Sequence, residues 1–364
     1  MNSAPAAMPP PPSYFFFGDA TAILAAEGSG SGATPEAEQW KVNVIFYTSQ
    51  CLSSLSLVMC GFVVATLFLF PALRSGHNRL VVNLCIANGL GAFSQLNVFE
   101  MVSNQAWAPD LCRGEAIGNQ FFFMSSFFWT ACLAWHVYRT ITSGKGPTRE
   151  RWTSFVGFHV ISWGCPLASV IVLLVYDQFD STYAPDTPGG AGQLAWCWVR
   201  PGVLPGQVIF YATLLAIMFF NTFMTVLTIA HVLRKYPKAN RSATISWCGK
   251  VSASVVVFVV VRFSSLLNRG SQIVEFMAGD WEEPEELGKT TTGWFILYLC
   301  HTIGSSSQGA FLAAVFCWNE SILPLYRTHC VARYACCAGE RARRRQSEYE
   351  QHTQGTHAYY AASS

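Results

Sequence analysis

Arg262 stands in the otherwise apolar run Val255–Leu267, where Ser264 and Ser265 are the only other polar residues. A guanidinium stays charged at every accessible pH and presents a planar fork of N–H donors matched to carboxylate or phosphate. Two chemistries follow. Arg262 can receive an anionic ligand through paired hydrogen bonds, or it can pair internally with Glu100 or Glu115, or extend its stem to an interface. Glu115 and Asn119 are four residues apart and share one helix face. His301, Ser305 and Gln308 recur at i, i+4 and i+7, and Ser94 and Asn97 form a shorter stripe of the same kind. Such stripes either join helices or touch a ligand. The candidate ligand-binding residues are therefore Arg262, Glu115, Asn119, His301, Asn97 and Gln308.

These residues lie in, or at the ends of, seven long apolar stretches. A helix needs about 20 mostly apolar residues to cross about 30 Å of hydrocarbon. The stretches are Val42–Phe70, Leu80–Val102, Glu115–Val137, Trp152–Tyr176, Val203–Leu233, Ile245–Leu267 and Thr292–Cys317. With 51% of residues hydrophobic and 12% charged, about half the usual charged share, a soluble helical protein is a poor fit. Leu57–Phe70 and Val251–Val261 carry no charge on any face, whereas a soluble helix keeps a charged side for water. The expected fold is an all-α membrane protein: a seven-helix transmembrane bundle with a short amphipathic helix after it.

Basic residues orient the bundle, because loops rich in Lys and Arg stay in the cytoplasm. The first, third and fifth connections hold Arg74, Arg79, Arg139, Lys145, Arg149, Arg151, Arg234, Lys235, Lys238, Arg241 and Lys250, and the C-terminal tail adds six arginines. The opposite connections are acidic, with Asp177, Asp180 and Asp186 in one and Glu275, Asp280, Glu282, Glu283, Glu285 and Glu286 in another. The N-terminus is thus expected outside and the C-terminus in the cytoplasm. Residues 1–39, rich in Ala, Pro, Gly and Ser, are expected to be disordered. The bundle is assigned to 40–320, the amphipathic helix to 321–337 and a disordered tail to 338–364.

Of thirteen cysteines, Cys112 and Cys197 fall at the outer face, where an oxidising compartment lets a disulfide persist. They read either as a bridge tying the long outer loop to the head of the third span or as two free thiols. Cys330, Cys336 and Cys337 follow the last span on a basic segment; Cys336 and Cys337 are candidate palmitoylation sites.

Four motifs carry a family resemblance. The second span opens His77-Asn78-Arg79-Leu80-Val81-Val82-Asn83-Leu84-Cys85, and the fourth contains Trp163-Gly164-Cys165-Pro166. The outer loop holds Trp196-Cys197-Trp198. The seventh span ends Gln308-Gly309-Ala310-Phe311 and Phe316-Cys317-Trp318-Asn319-Glu320. In order and placement, over about residues 41–327, these resemble the cyclic-AMP-receptor-like and secretin-like G-protein-coupled receptors. The resemblance implies an extracellular ligand in the outer half of the bundle and a heterotrimeric G-protein at the cytoplasmic face. Arg139, Arg149, Arg151, Arg234 and Lys235 are the candidate G-protein contacts, although anionic lipid also attracts basic residues there. The third span ends His136-Val137-Tyr138-Arg139 rather than Asp-Arg-Tyr, and the sixth has no kinking proline.

Other seven-span chemistries fit less well. Retinal requires a Schiff-base lysine, and Thr292–Cys317 contains none. His136, His159 and His231 supply the side chains of a catalytic zinc site. Yet no acidic residue accompanies them at that depth as orienting group or base. A channel or transporter lined by Arg262 and Glu115 is the remaining alternative. No catalytic residue, metal, cofactor or nucleic-acid partner is expected, and the location is integral to a membrane, with the plasma membrane favoured.

Overall fold

The computed structural model describes residues 35–96, 109–143, 152–179, 204–235, 252–268, 292–319 and 324–327, together with Val199, Gly249 and Ile322. Seven long helices account for nearly all of these: α1 (Pro35–Leu69), α2 (Gly76–Gln95), α3 (Pro109–Ser143), α4 (Trp152–Val175), α5 (Leu204–Lys235), α6 (Ser252–Asn268) and α7 (Thr292–Asn319). No strand occurs among the described residues. This is the seven-helix bundle expected from the apolar stretches.

By length and composition alone, Asn43–Leu69, Phe155–Val175 and Val208–Lys235 are able to cross a bilayer. The others differ for a visible reason. α2, α3 and α7 carry buried polar side chains, including Asn78, Asn88, Gln95, Asn119, Gln120, Thr130, His301 and Gln308. These face other helices instead of lipid, where each unsatisfied polar group would be costly. The apolar outer surface is supplied by residues such as Phe68, Val160, Val175, Phe219, Val260 and Trp318, all exposed.

α3 is the central post, packed against α2, α4 and α5, while α1 packs on α2 and α7. α6 closes the ring by touching α3 through Phe127 and Phe258 and α7 through Ser264. Two main apolar clusters fill the interior. One joins α1, α2, α3 and α7 around Leu80, Leu84, Trp129 and Leu312. The other joins α3, α5 and α6 around Phe127, Phe210, Leu214 and Phe258.

Local chemistry makes the sharp connection between α1 and α2. Arg74 donates from Nε and Nη2 to the carbonyls of Leu67 and Phe68, at 3.0 and 2.8 Å, occupying two of the acceptors that a helix end leaves open. Pro71 starts a single 3₁₀ turn, and Ser75 caps α2 by accepting from the Asn78 amide at 3.2 Å. At the far end of α4, Asp177 takes φ 48°, the left-handed conformation that ends many helices. The Gln178 amide then returns to the Leu173 carbonyl at 2.8 Å.

In the fourth-span motif, Trp163 packs between Phe121 and the fully buried Trp129, with ring centroids at 5.8 and 5.9 Å, and so fastens α4 to α3. Beyond α7, Ile322 and Leu325 are buried, and Tyr326 stacks on Phe62 with its hydroxyl 2.8 Å from Thr66 Oγ1. The described part of the segment expected to be amphipathic is thus docked on α1; its remainder, with Cys336 and Cys337, lies outside the described residues.

Candidate functional site

The bundle end at which α3, α5 and α7 begin is called the outer end, following the charge pattern of the loops. α6 runs toward it, and side chains on a helix lean toward the helix N-terminus. Arg262 therefore points back into the bundle. Its Nε donates to Gln308 Oε1 at 2.6 Å, and its guanidinium carbon lies 4.7 Å and 5.1 Å from the ring centres of Phe123 and Phe127. Phe127 and Gln308 sit near the midpoints of α3 and α7, so the charge is at mid-depth. Arg262 is 2% exposed and Gln308 0%.

The electrostatics are unusual. Among the described residues no acid lies against Arg262: Glu115 receives a long 3.5 Å contact from Asn119 instead. Two donors beside one another, Arg262 Nη2 and Gln308 Nε2, are buried with no hydrogen-bond partner. Ser265 Oγ, one turn further out on α6, is also buried and unpartnered. Cation–π contacts offset part of the cost of the buried charge, but among the described residues every neighbouring group is neutral.

The other predicted site residues distribute around this charge. Asn119 and Glu115 occupy the same stripe of α3 as Phe123, one and two turns further out respectively. Asn119 Oδ1 also accepts from Ser94 Oγ of α2 at 2.9 Å, a helix-packing bond. His301 lies on α7 about two turns outward from Gln308, with Nδ1 2.8 Å from Asn268 Nδ2. Ser264 Oγ donates to the Cys300 carbonyl at 3.2 Å, and Gly304 brings α7 against the Val261 carbonyl so closely that no Cβ fits between. Arg262, His301 and Gln308 thus meet along the α6–α7 seam. Asn97, Glu100 and Cys197 lie outside the described residues, as does the side chain of Cys112.

The histidine trio does not converge. His159 is held edge-on between Trp129 and Phe155, at 4.8 and 4.7 Å, while His136 stacks on His77 at 6.4 Å. Among the described residues no three His, Cys, Asp or Glu side chains are placed to share a metal ion. At the start of α2, burial and the neighbouring His136 push His77 down to about 4. Its Nδ1 is buried without a partner although the residue keeps some surface.

At the inner end, Arg139 on α3 and Arg234 and Lys235 in the last turn of α5 are exposed. Basic residues there suit the negative end of the helix dipole. Arg149 and Arg151 lie outside the described residues.

One cluster had no counterpart in the sequence expectations. Gln95 at the end of α2 is a hub: its Oε1 accepts from Ser53 Oγ at 3.0 Å and Ser306 Oγ at 3.3 Å, and its carbonyl accepts from Gln50 Nε2 at 3.1 Å. Ser49 and Ser56 of α1 reach Ser306 as well. The signal lay in Ser49, Ser53 and Ser56, a small polar stripe at i, i+4 and i+7.

Comparison with known proteins fits this architecture. Residues 39–268 match the family model described as 7 transmembrane receptor (Secretin family). The chain belongs to the secretin-like family of seven-transmembrane, G-protein-coupled receptors. The receptor is 33% identical over 150 residues to G-protein coupled receptor 157 of Homo sapiens, covering 40% of this chain and 41% of that protein. It is 29% identical over 195 residues to G-protein coupled receptor 1 of Arabidopsis thaliana, covering 52% of each. Cyclic AMP receptor-like protein A of Dictyostelium discoideum is 22% identical over 169 residues, which is 46% of this chain and 40% of that relative. The matched regions thus span about half or less of these relatives' lengths. The receptor is an integral membrane protein.

Proposed function

We propose that this receptor admits a small anionic extracellular ligand into the outer half of its bundle and activates a heterotrimeric G-protein at its cytoplasmic face. The observation that carries the reading is Arg262: a buried cation with no facing acid among the described residues, with an unsatisfied N–H donor, at the foot of the stripe formed by Glu115, Asn119 and Phe123. Placing an uncompensated charge in a membrane bundle is costly and marks function more often than packing. In this reading Asn119, His301 and Asn97 line the approach, Glu115 screens it, and Arg262 and Gln308 take the acid group.

A ligand changes the resting equilibrium only through unequal affinity for two conformations. An acid group drawn between α3, α6 and α7 alters the contacts of α6 on both neighbours, and the inner end of α6 responds. Arg139, Arg149, Arg151, Arg234 and Lys235 then form the basic rim that meets the G-protein. The outer loop is part of the mouth. Val199, two residues beyond Cys197, is buried against Ala116, Val170 and Leu173, and Ala116 is one turn beyond Cys112. That proximity supports a Cys112–Cys197 bridge. Palmitate on Cys336 and Cys337 would hold the segment after Tyr326 to the membrane, and residence in the plasma membrane follows from sensing an outside ligand.

The test is a screen of small carboxylates and phosphates on purified receptor, read as nucleotide exchange on added G-protein. Arg262→Gln should raise the half-maximal agonist concentration roughly ten- to a hundredfold, the loss expected for a charge-assisted hydrogen bond. Unchanged potency would remove Arg262 from recognition.

A further inference from the structure

An arginine does not relieve its burial by losing a proton. A negative partner is therefore what this site calls for when no acidic agonist is present, and none stands beside Arg262 among the described residues. Among the described residues, Glu115 is instead in contact with Asn119 at 3.5 Å, and Gln308 offers only an amide oxygen, already used by Nε at 2.6 Å. Among the described residues, the site still lacks an acceptor. Both unfilled groups beside the guanidinium plane, Arg262 Nη2 and Gln308 Nε2, are donors, and both are buried. A cation would be repelled here, and an apolar group would leave both donors unmet. The rings of Phe123 and Phe127 wall the charge at 4.7 and 5.1 Å, and Arg262 is only 2% exposed, so the missing partner is compact.

We propose that the resting receptor carries a single halide-sized anion, chloride in physiological fluids, bound by Arg262 and Gln308 between α3, α6 and α7, and that an acidic agonist displaces it. The displacement rests on the ligand reading above; the ion site does not. Chloride would act as a structural counter-ion, bridging α6 to α7 at mid-depth and holding the bundle in its unliganded packing. Agonist potency would then fall as external chloride rises, because both compete for one charge.

The experiment uses the full chain, purified in detergent without agonist, with chloride exchanged for gluconate at constant ionic strength. Chloride should raise the unfolding temperature saturably, by about 2 °C at ten times its dissociation constant. Arg262→Gln should abolish the rise. Gln308→Glu is the sharper variant, since it supplies a carboxylate at the position now held by Oε1. It should melt in gluconate where the wild type melts in chloride, and respond to chloride no further. The chloride NMR linewidth, broadened by exchange with wild-type receptor and narrowed again by an added anionic agonist, gives a readout independent of variant folding. Equal unfolding temperatures in the two salts, a chloride response retained in Gln308→Glu, or no excess broadening would each overturn the proposal. An ion site without agonist competition would refute the ligand reading alone. Arg262-dependent agonism without a chloride effect would refute the ion site alone.

Discussion

Replacing Gly304 by alanine should force α6 and α7 apart. A methyl group there would sit 3.1 Å from Ser264 Oγ and closer still to the Val261 carbonyl oxygen, where about 3.3–3.6 Å is comfortable. Because the nearer obstacle is backbone, no rotamer change relieves the clash, and the helices must separate by on the order of 1 Å. Three interhelical hydrogen bonds flank the contact: Asn268–His301 at 2.8 Å, Ser264–Cys300 at 3.2 Å and Arg262–Gln308 at 2.6 Å. Separation of that size stretches them toward loss, each at roughly 0.6 kcal/mol in a membrane bundle, in addition to about 1–3 kcal/mol for overpacking. The expected total is about 3–5 kcal/mol, read as a fall of at least about 4 °C in the unfolding temperature of purified receptor. Gly61→Ala is the internal control. A Cβ at Gly61 meets nothing within 4 Å, so the same chemical change there should be neutral or stabilising by up to about 1 kcal/mol. A Gly304→Ala receptor that melts with or above the wild type would refute the argument that backbone contact locks this seam.

Two further outcomes follow from the buried polar groups. His77 takes up a proton only near pH 4 when folded but near 6.5 when unfolded. The unfolded state therefore binds more protons between those values, and stability should fall as pH drops from 6.5 toward 4, by up to about 3 kcal/mol. His77→Gln should flatten that slope in unfolding curves taken across the window, whereas an unchanged slope would show that other groups carry it. Gln95→Leu removes the acceptor shared by Ser53 and Ser306 and should cost about 1–3 kcal/mol. Gln95→Glu, which keeps an acceptor oxygen at the Oε1 position, tests whether acceptance alone suffices; if Leu at this position leaves the unfolding temperature unchanged, the hub is not holding α1, α2 and α7 together.

Much of this receptor was readable from residue order alone, because membrane burial is a strong and local constraint. Apolar runs long enough to cross hydrocarbon located every helix, and the structure places α1 to α7 on them. The motif around Trp163 announced the family, and the structure added that Trp163 fastens α4 to α3. That Arg262 would matter was also legible, since a charge inside Val255–Leu267 demands a partner. What one dimension withheld was which partner. Glu100 and Glu115 were both candidates; Glu100 lies outside the described residues, and only packing shows that the guanidinium turns inward to Gln308 and two phenylalanine rings. The depth of the charge, the hub at Gln95 and the backbone seam at Gly304 likewise depend on which faces of separate helices meet. Hydropathy is set by a residue and its sequence neighbours, whereas a hydrogen bond between α1 and α7 is set by the rotation and offset of two helices some 250 residues apart in the chain. The span pattern is therefore a property of the sequence, and the setting of the charge buried at its centre is a property of the assembled bundle.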